Sequence, residues 1–188
     1  TIKDTEKRWT NLLEGHELYC SGHLIEAACT YYEATGKQKL LDIAVKNAEC
    51  IYDRFVKQNT EGIPGHPEIE LALLRLYRLT ENKHFLELAK KFIDERGKAP
   101  DFWAREAKKR SWSVWNSDPW DNDYRQSAKP VREQTEAVGH AVRAVYLYTG
   151  MADLAAETED KELFAACRRL WENIVHRKMY ITGGIGST

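Results

Sequence analysis

Apolar positions recur at three- and four-residue spacing along most of this chain, the signature of helices that bury one face. Glu17–Thr35 carries Leu18, Ile25, Ala28 and Tyr32 on overlapping faces. Lys39–Lys57 carries Leu40, Ile43, Val45, Ala48, Ile51, Tyr52 and Phe55. Pro67–Leu79 opens on a proline, whose missing N–H costs nothing in a first helical turn, and sets Ile69, Leu73, Leu76 and Leu79 in register. Lys83–Glu95 follows with Phe85, Leu88, Ala89, Phe92 and Ile93. Glu133–Tyr148 and Lys161–Arg177 complete a set of about six long helices. Short ones are predicted at Thr5–Leu13 and Met151–Thr158.

One phrase returns along this pattern: an aromatic residue, a Thr-Gly or Thr-Glu turn, then a Leu/Phe pair opening the next helix. Tyr32 to Gly36 leads to Leu40, Leu41 and Ala44. Tyr77 to Glu81 leads to Phe85, Leu86 and Ala89. The third copy is read as Tyr146 to Gly150, leading to Leu163, Phe164 and Ala166. Forty-five residues separate Thr35 from Thr80, a period that belongs to stacked helical hairpins. The expected fold is all-α, part of an (α/α)6 barrel, a toroid of helical hairpins. The whole chain, 1–188, is expected to be one part of such a domain, since six hairpins need about twice these helices. Unfilled apolar flanks should then sit against the remainder of the barrel or a second copy of the chain.

The segment from about 97 to 130 breaks the helical period. It holds Trp103, Trp112, Trp115 and Trp120, together with Asp101, Asp118, Asp121 and Asp123. Long insertions of this kind often build the rim of a site. Indole beside carboxylate suits a polar ligand with apolar faces, such as a sugar; the plainer role is to pin the insertion to the scaffold.

Composition narrows the function. With 188 residues, 43% hydrophobic and 30% charged, the chain can bury a sizeable core. A net charge of −1 gives no electrostatic case for nucleic acid or an anionic membrane, and no apolar run is long enough to span one. Cys20, Cys29, Cys50 and Cys167 form no Cys-x-x-Cys and sit in helical apolar patterns, which reads as reduced thiols and a cytoplasmic protein.

Three histidines, His16, His66 and His140, occupy matching places at or just before the first helix of a hairpin. In a toroid those helix starts share one mouth. Glu70 lies four residues after His66 and Glu136 four before His140, a spacing that on a helix would let each carboxylate hold a ring proton. His16, Cys20 and His23 share a helical face in the manner of metal ligands, although Gly22 weakens that helix and no fourth ligand is evident. Gly183-Gly184-Ile185-Gly186-Ser187-Thr188 lacks the lysine of a phosphate loop and reads as a flexible tail. Glu17, Glu26, Glu70, Glu133 and Glu136 are candidates for paired carboxylates, with no pair singled out.

Longer strings carry a resemblance. His16-Glu17-Leu18-Tyr19-Cys20-Ser21-Gly22-His23-Leu24-Ile25-Glu26-Ala27, Gly65-His66-Pro67-Glu68-Ile69-Glu70-Leu71-Ala72-Leu73, Pro130-Val131-Arg132-Glu133-Gln134, Glu136 to Ala144, and Tyr180 to Ser187 resemble glycoside hydrolase family 127. These are the β-L-arabinofuranosidase-like enzymes, and the match runs from about Trp9 to Thr188. The resemblance implies an (α/α)6 barrel followed by β-sandwich domains. It also implies a retaining hydrolysis in which a zinc-bound cysteine attacks and a glutamate serves as acid and base. That glutamate, the zinc ligands and the nucleophile fall beyond Thr188 in the family pattern, so no catalytic or metal residue is assigned here. His16, His66 and His140 match family histidines that contact the arabinofuranose. Ala128 stands where the family often has His before Lys-Pro-Val-Arg-Glu. A helical-repeat interaction module, with its histidines scattered along an open groove, and another toroid enzyme such as a sugar epimerase are the alternatives.

Overall fold

The computed structural model describes residues 4–186. Seven α-helices are present there: α1 Glu17–Thr35, α2 Lys39–Tyr52, α3 Ile69–Thr80, α4 Lys83–Glu95, α5 Phe102–Lys109, α6 Ala141–Thr158 and α7 Lys161–Asn173. α2 and α7 each run on into a π turn, Asp53–Lys57 and Ile174–Lys178. α1 packs beside α3 and α3 beside α6, forming one row. α2, α4 and α7 pack behind their hairpin partners as a second layer. Between the layers lies a continuous apolar core in which Ile25, Ile51, Leu73, Leu76, Phe85, Phe92 and Leu147 are wholly buried. This two-layered stack of hairpins is the arrangement of part of an α/α barrel.

The hairpins are punctuated by one repeated device. Thr35, Thr80 and Thr158 each end a first helix and donate a hydroxyl to the carbonyl four residues back, on Tyr31, Leu76 and Leu154. The next residue is left-handed in every case, Gly36 at φ 69°, Glu81 at φ 55° and Glu159 at φ 53°, and returns its N–H to the helix. In two hairpins a side chain then caps the following helix: Asn82 accepts from the N–H of His84, and Asp160 from that of Leu163.

This corrects the third copy of the sequence phrase. Its turn is Thr158-Glu159-Asp160, not Thr149-Gly150, and Met151–Thr158 is the end of α6 rather than a separate helix. Gly150 sits mid-helix where α6 crosses α3, and a Cβ there would stand 3.1 Å from the Cβ of Glu70. The start of α6 is also later than periodicity gave. Val131–Glu133 is one 3-10 turn, and Gly139 at φ 73° presses on the backbone of Asp123 and Tyr124, so the helix begins only after His140. Thr5–Leu13 holds only a 3-10 turn, Thr5–Lys7. The Gly-rich tail is less free than expected. Met179 pairs with Ile185 in an antiparallel bridge, closed by Tyr180 N–H to Gly184 O at 2.8 Å. Ser187 and Thr188 lie outside the described residues.

The insertion is anchored rather than loose. α5 buries Trp103 completely, and its indole N–H donates to Ser127 Oγ at 2.9 Å. Trp115 and Trp120 are exposed. The pinning role therefore belongs to Trp103, which leaves Trp115 and Trp120 open to solvent.

Candidate functional site

The three histidines converge. His16 and His66 have ring centroids 5.6 Å apart, and His66 and His140 6.0 Å apart. Tyr19 lies 4.5 Å from His66 and Tyr146 5.9 Å from it, while His23 reaches Tyr19 at 4.4 Å. His16 and His140 immediately precede α1 and α6, and His66 lies three residues before α3, so packing of these helices side by side brings the imidazoles together. A scattered set, the mark of an interaction module with an open groove, is not what the fold produces.

Their hydrogen bonds fix what each ring offers. His16 Nδ1 lies 2.7 Å from the carbonyl of Glu14, and His66 Nδ1 lies 2.7 Å from that of Pro67. A carbonyl only accepts, so both Nδ1 atoms carry a proton, and in a neutral ring Nε2 is then the acceptor. His140 is the reverse. Its Nδ1 accepts the N–H of Arg143 at 3.4 Å as the cap of α6, so a neutral ring bears its proton on Nε2 and donates. Burial pushes His66 down to about 4, with Arg143, His16 and His140 adding positive repulsion. Burial and Arg143 also lower His140. Imidazoles that accept at two nitrogens and donate at a third suit hydroxyl groups, which do both.

The expected carboxylate–imidazole pairs do not form. Glu70 is buried against Arg96 at 3.3 Å and accepts the N–H of Glu68 at 3.0 Å. Glu136 lies before α6, not on it, and pairs with Lys178 at 2.8 Å. Glu26 is tied to Arg75 on α3, and Glu17 accepts the N–H of Trp9. Backbone carbonyls orient His16 and His66 instead. The strand of chain around His66 is held by buried arginines: Arg96 donates to Pro64 O at 2.7 Å and Arg143 to Gly65 O at 2.7 Å. Sequence periodicity had no means of finding these cations, since each looks like a surface residue until the carbonyls it serves are known.

Glu68 is a second group beyond the reach of the sequence reading. Its side chain is 1% exposed, Oε1 lies 3.6 Å from His23 Nδ1, and Oε2 has no partner. Burial, then Glu70 and Glu26, push its carboxyl from 4.5 up to about 8. A raised carboxyl is a proton held more tightly by the folded chain. The stability it contributes is complete below pH 4.5 and is lost as pH rises to about 8. Each unit of such a difference is worth about 1.4 kcal/mol. Wild type should therefore lose thermal stability relative to Glu68→Gln across that interval. Parallel melting curves at the two pH limits test it, and a constant gap between the proteins would contradict it.

Among the described residues, no three His, Cys, Asp or Glu side chains gather to hold a metal ion. Cys20 and Cys50 are exposed, and burial pushes the Cys29 and Cys167 thiols up to about 11. These cysteines do not fit a zinc–thiolate centre. The rings of His16 and His23 both pack on Tyr19, and Cys20 is exposed.

A family model described as beta-L-arabinofuranosidase, GH127 catalytic domain, matches residues 1–188. The non-reducing end beta-L-arabinofuranosidase of Bifidobacterium longum subsp. longum is 42% identical over 190 residues, covering 96% of this chain and 28% of its own length. The crystal structure of Ara127N-Se, a GH127 beta-L-arabinofuranosidase from Geobacillus stearothermophilus T6, superposes with a TM-score of 0.91 at 50% identity. That match covers 99% of this chain and 30% of the other. A GH127 beta-arabinofuranosidase, BT3674, superposes with a TM-score of 0.80 at 44% identity, over 97% of this chain and 26% of its own. The chain thus spans less than a third of each of these relatives.

Proposed function

We propose, from the premise that this chain belongs to the glycoside hydrolase family 127 catalytic-domain family, that it is the sugar-binding part of a retaining β-L-arabinofuranosidase. The observation that carries this reading is the cluster of His16, His66 and His140, with two ring nitrogens free to accept and one to donate. A furanose presents several hydroxyls on one small ring, and three fixed imidazoles bind and orient it. The substrate is an oligosaccharide ending in L-arabinofuranose. No residue of this chain is assigned to bond cleavage. The acid/base glutamate and the zinc-bound cysteine are assigned to sequence outside it, and zinc when bound there supplies an activated thiolate.

The partner reading follows from the flanks. Beside α6 and α7 runs an apolar groove of about 630 Å³ lined by Val145, Tyr148, Phe164, Trp171, Met179 and neighbours. Phe164 and Trp171 are more than 60% exposed there. The rest of the barrel is its proposed occupant, with a second copy of the chain as the substitute. Residues 1–188 are accordingly read as one stretch of a single barrel domain carrying the insertion at 97–130. No helix among the described residues is long and apolar enough to cross a membrane. Four free thiols suit a reducing compartment, which we take to be the cytoplasm.

Titration with methyl β-L-arabinofuranoside tests the reading. The protein should bind it, His66→Phe should bind it at least about tenfold more weakly, and neither should hydrolyse 4-nitrophenyl β-L-arabinofuranoside. Hydrolysis by this polypeptide, or equal affinity in the variant, would overturn it.

A further inference from the structure

Glu14 holds two things at once. Its backbone carbonyl takes the Nδ1–H of His16 at 2.7 Å. Its carboxylate, with no solvent exposure of its own, lies beneath the loop 113–117 of the insertion. Oε1 accepts from Ser113 Oγ at 2.7 Å and from the N–H of Ser117 at 2.8 Å. Oε2 accepts from the N–H of Val114 at 2.7 Å and from Asn11 Nδ2 at 3.0 Å. Burial alone would raise this carboxyl, but those donors outweigh it and hold it far below the usual carboxylate range. The loop has no helix or strand of its own, and its turn passes through Asn116 at φ 53°. One buried anion therefore shapes the whole segment.

What the loop presents is Trp115. The indole is 60% exposed, yet its ring lies 5.2 Å from His16 in an edge-on arrangement at 79°. An open apolar wall thus borders the hydrogen-bonding imidazoles. A sugar ring has the matching character, with hydroxyls around its rim and C–H groups on its face.

We infer that Trp115 is the stacking wall for the apolar face of the sugar held by His16, His66 and His140, and that Glu14 is the positioning residue that fixes this wall and His16 together. The inference rests on the sugar-binding reading and names a further part of the same site. Glu rather than Gln is required at position 14, because a backbone N–H, which cannot accept, meets each oxygen, Ser117 at Oε1 and Val114 at Oε2; an amide NH2 would face one of them whichever way it turned.

The test is a double-variant cycle read by titration with methyl β-L-arabinofuranoside. Trp115→Ala lies on the surface and should fold as wild type does, and it should bind about tenfold more weakly. Glu14→Gln should lose a similar factor, and the double variant should lose no more than the weaker single variant, since both remove one wall. Acrylamide quenching gives a readout independent of the sugar. The fluorescence that Trp115 contributes, taken as the difference from Trp115→Phe, should become more accessible in the Glu14→Gln background. Wild-type affinity in Trp115→Ala, losses that add in the double variant, or unchanged quenching overturns the inference while leaving the histidine site standing. A wild-type protein that does not bind the furanoside overturns the sugar-binding reading and takes this inference with it.

Discussion

Replacing Arg96 by Met should destabilise the fold by about 3–5 kcal/mol, the usual cost of removing one partner from a buried ion pair. Arg96 is wholly buried at the end of α4. It pairs with Glu70 on α3 at 3.3 Å, donates to Pro64 O at 2.7 Å ahead of His66, and donates to Arg125 O at 3.0 Å in the insertion. Met fills a similar volume without a charge. It leaves the Glu70 carboxylate sealed from water without its cation, and two carbonyls without donors. For a chain of this size the loss should lower the melting temperature by about 10 °C. The double replacement Arg96→Met with Glu70→Met removes both charges and should recover part of the loss, because no ion is then stranded. Urea unfolding of the three proteins decides the matter. A single variant within 1 kcal/mol of wild type would mean that the pair carries no weight in the fold.

The consequence reaches the mouth. Arg96 and Arg143 serve the successive carbonyls of Pro64 and Gly65, and His66 itself takes that of Pro67. Loss of Arg96 frees the first of these. The same substitution should therefore weaken furanoside binding in step with stability, and comparison at low temperature, where the variant is folded, separates the two effects.

Helices α1 to α4 were legible from apolar spacing because their buried faces are regular and their ends carry Thr, Gly, Asn or Pro. Their boundaries fall within a few residues of the expected ones. The third hairpin was misplaced because Thr149-Gly150 copies the residue types of Thr35-Gly36, and a sequence pattern does not distinguish a glycine that ends a helix from one that lets two helices touch. The histidine cluster was legible for a topological reason: equivalent positions in successive hairpins must meet when the hairpins stack. Its orientation was not. The carboxylates at four-residue spacing suggested partners that the fold spends elsewhere, and the true partners are main-chain carbonyls, which have no sequence signature. Glu14 was invisible for the same reason, as its donors lie about a hundred residues away in the insertion.

Gly22→Ala should destabilise the protein by about 3 kcal/mol, at the upper end of overpacking costs and opposite in sign to what helix propensity gives. Alanine in an exposed helix interior is about 1 kcal/mol better than glycine, so a Gly22 that merely loosened α1 would be improved by the change. The geometry says otherwise. Gly22 is buried where α1 crosses α3, and a methyl group there would overlap Oε2 of Glu68 outright and stand 2.8 Å from the Cα of Ile69. Glu68 has little room to yield, since its side chain is 1% exposed and lies between His23 and Glu70. Removing it as well, in Gly22→Ala with Glu68→Ala, should recover only part of the loss, because the second obstacle is backbone. Gly36 supplies the contrast: a Cβ there meets nothing within 4 Å, so the cost of Gly36→Ala comes from its left-handed φ of 69° alone. Denaturation midpoints for the variants read out both costs. A Gly22→Ala protein as stable as wild type would mean that α1 and α3 do not approach this closely, and the approach of His16, just before one, to His66, just before the other, would fall with it.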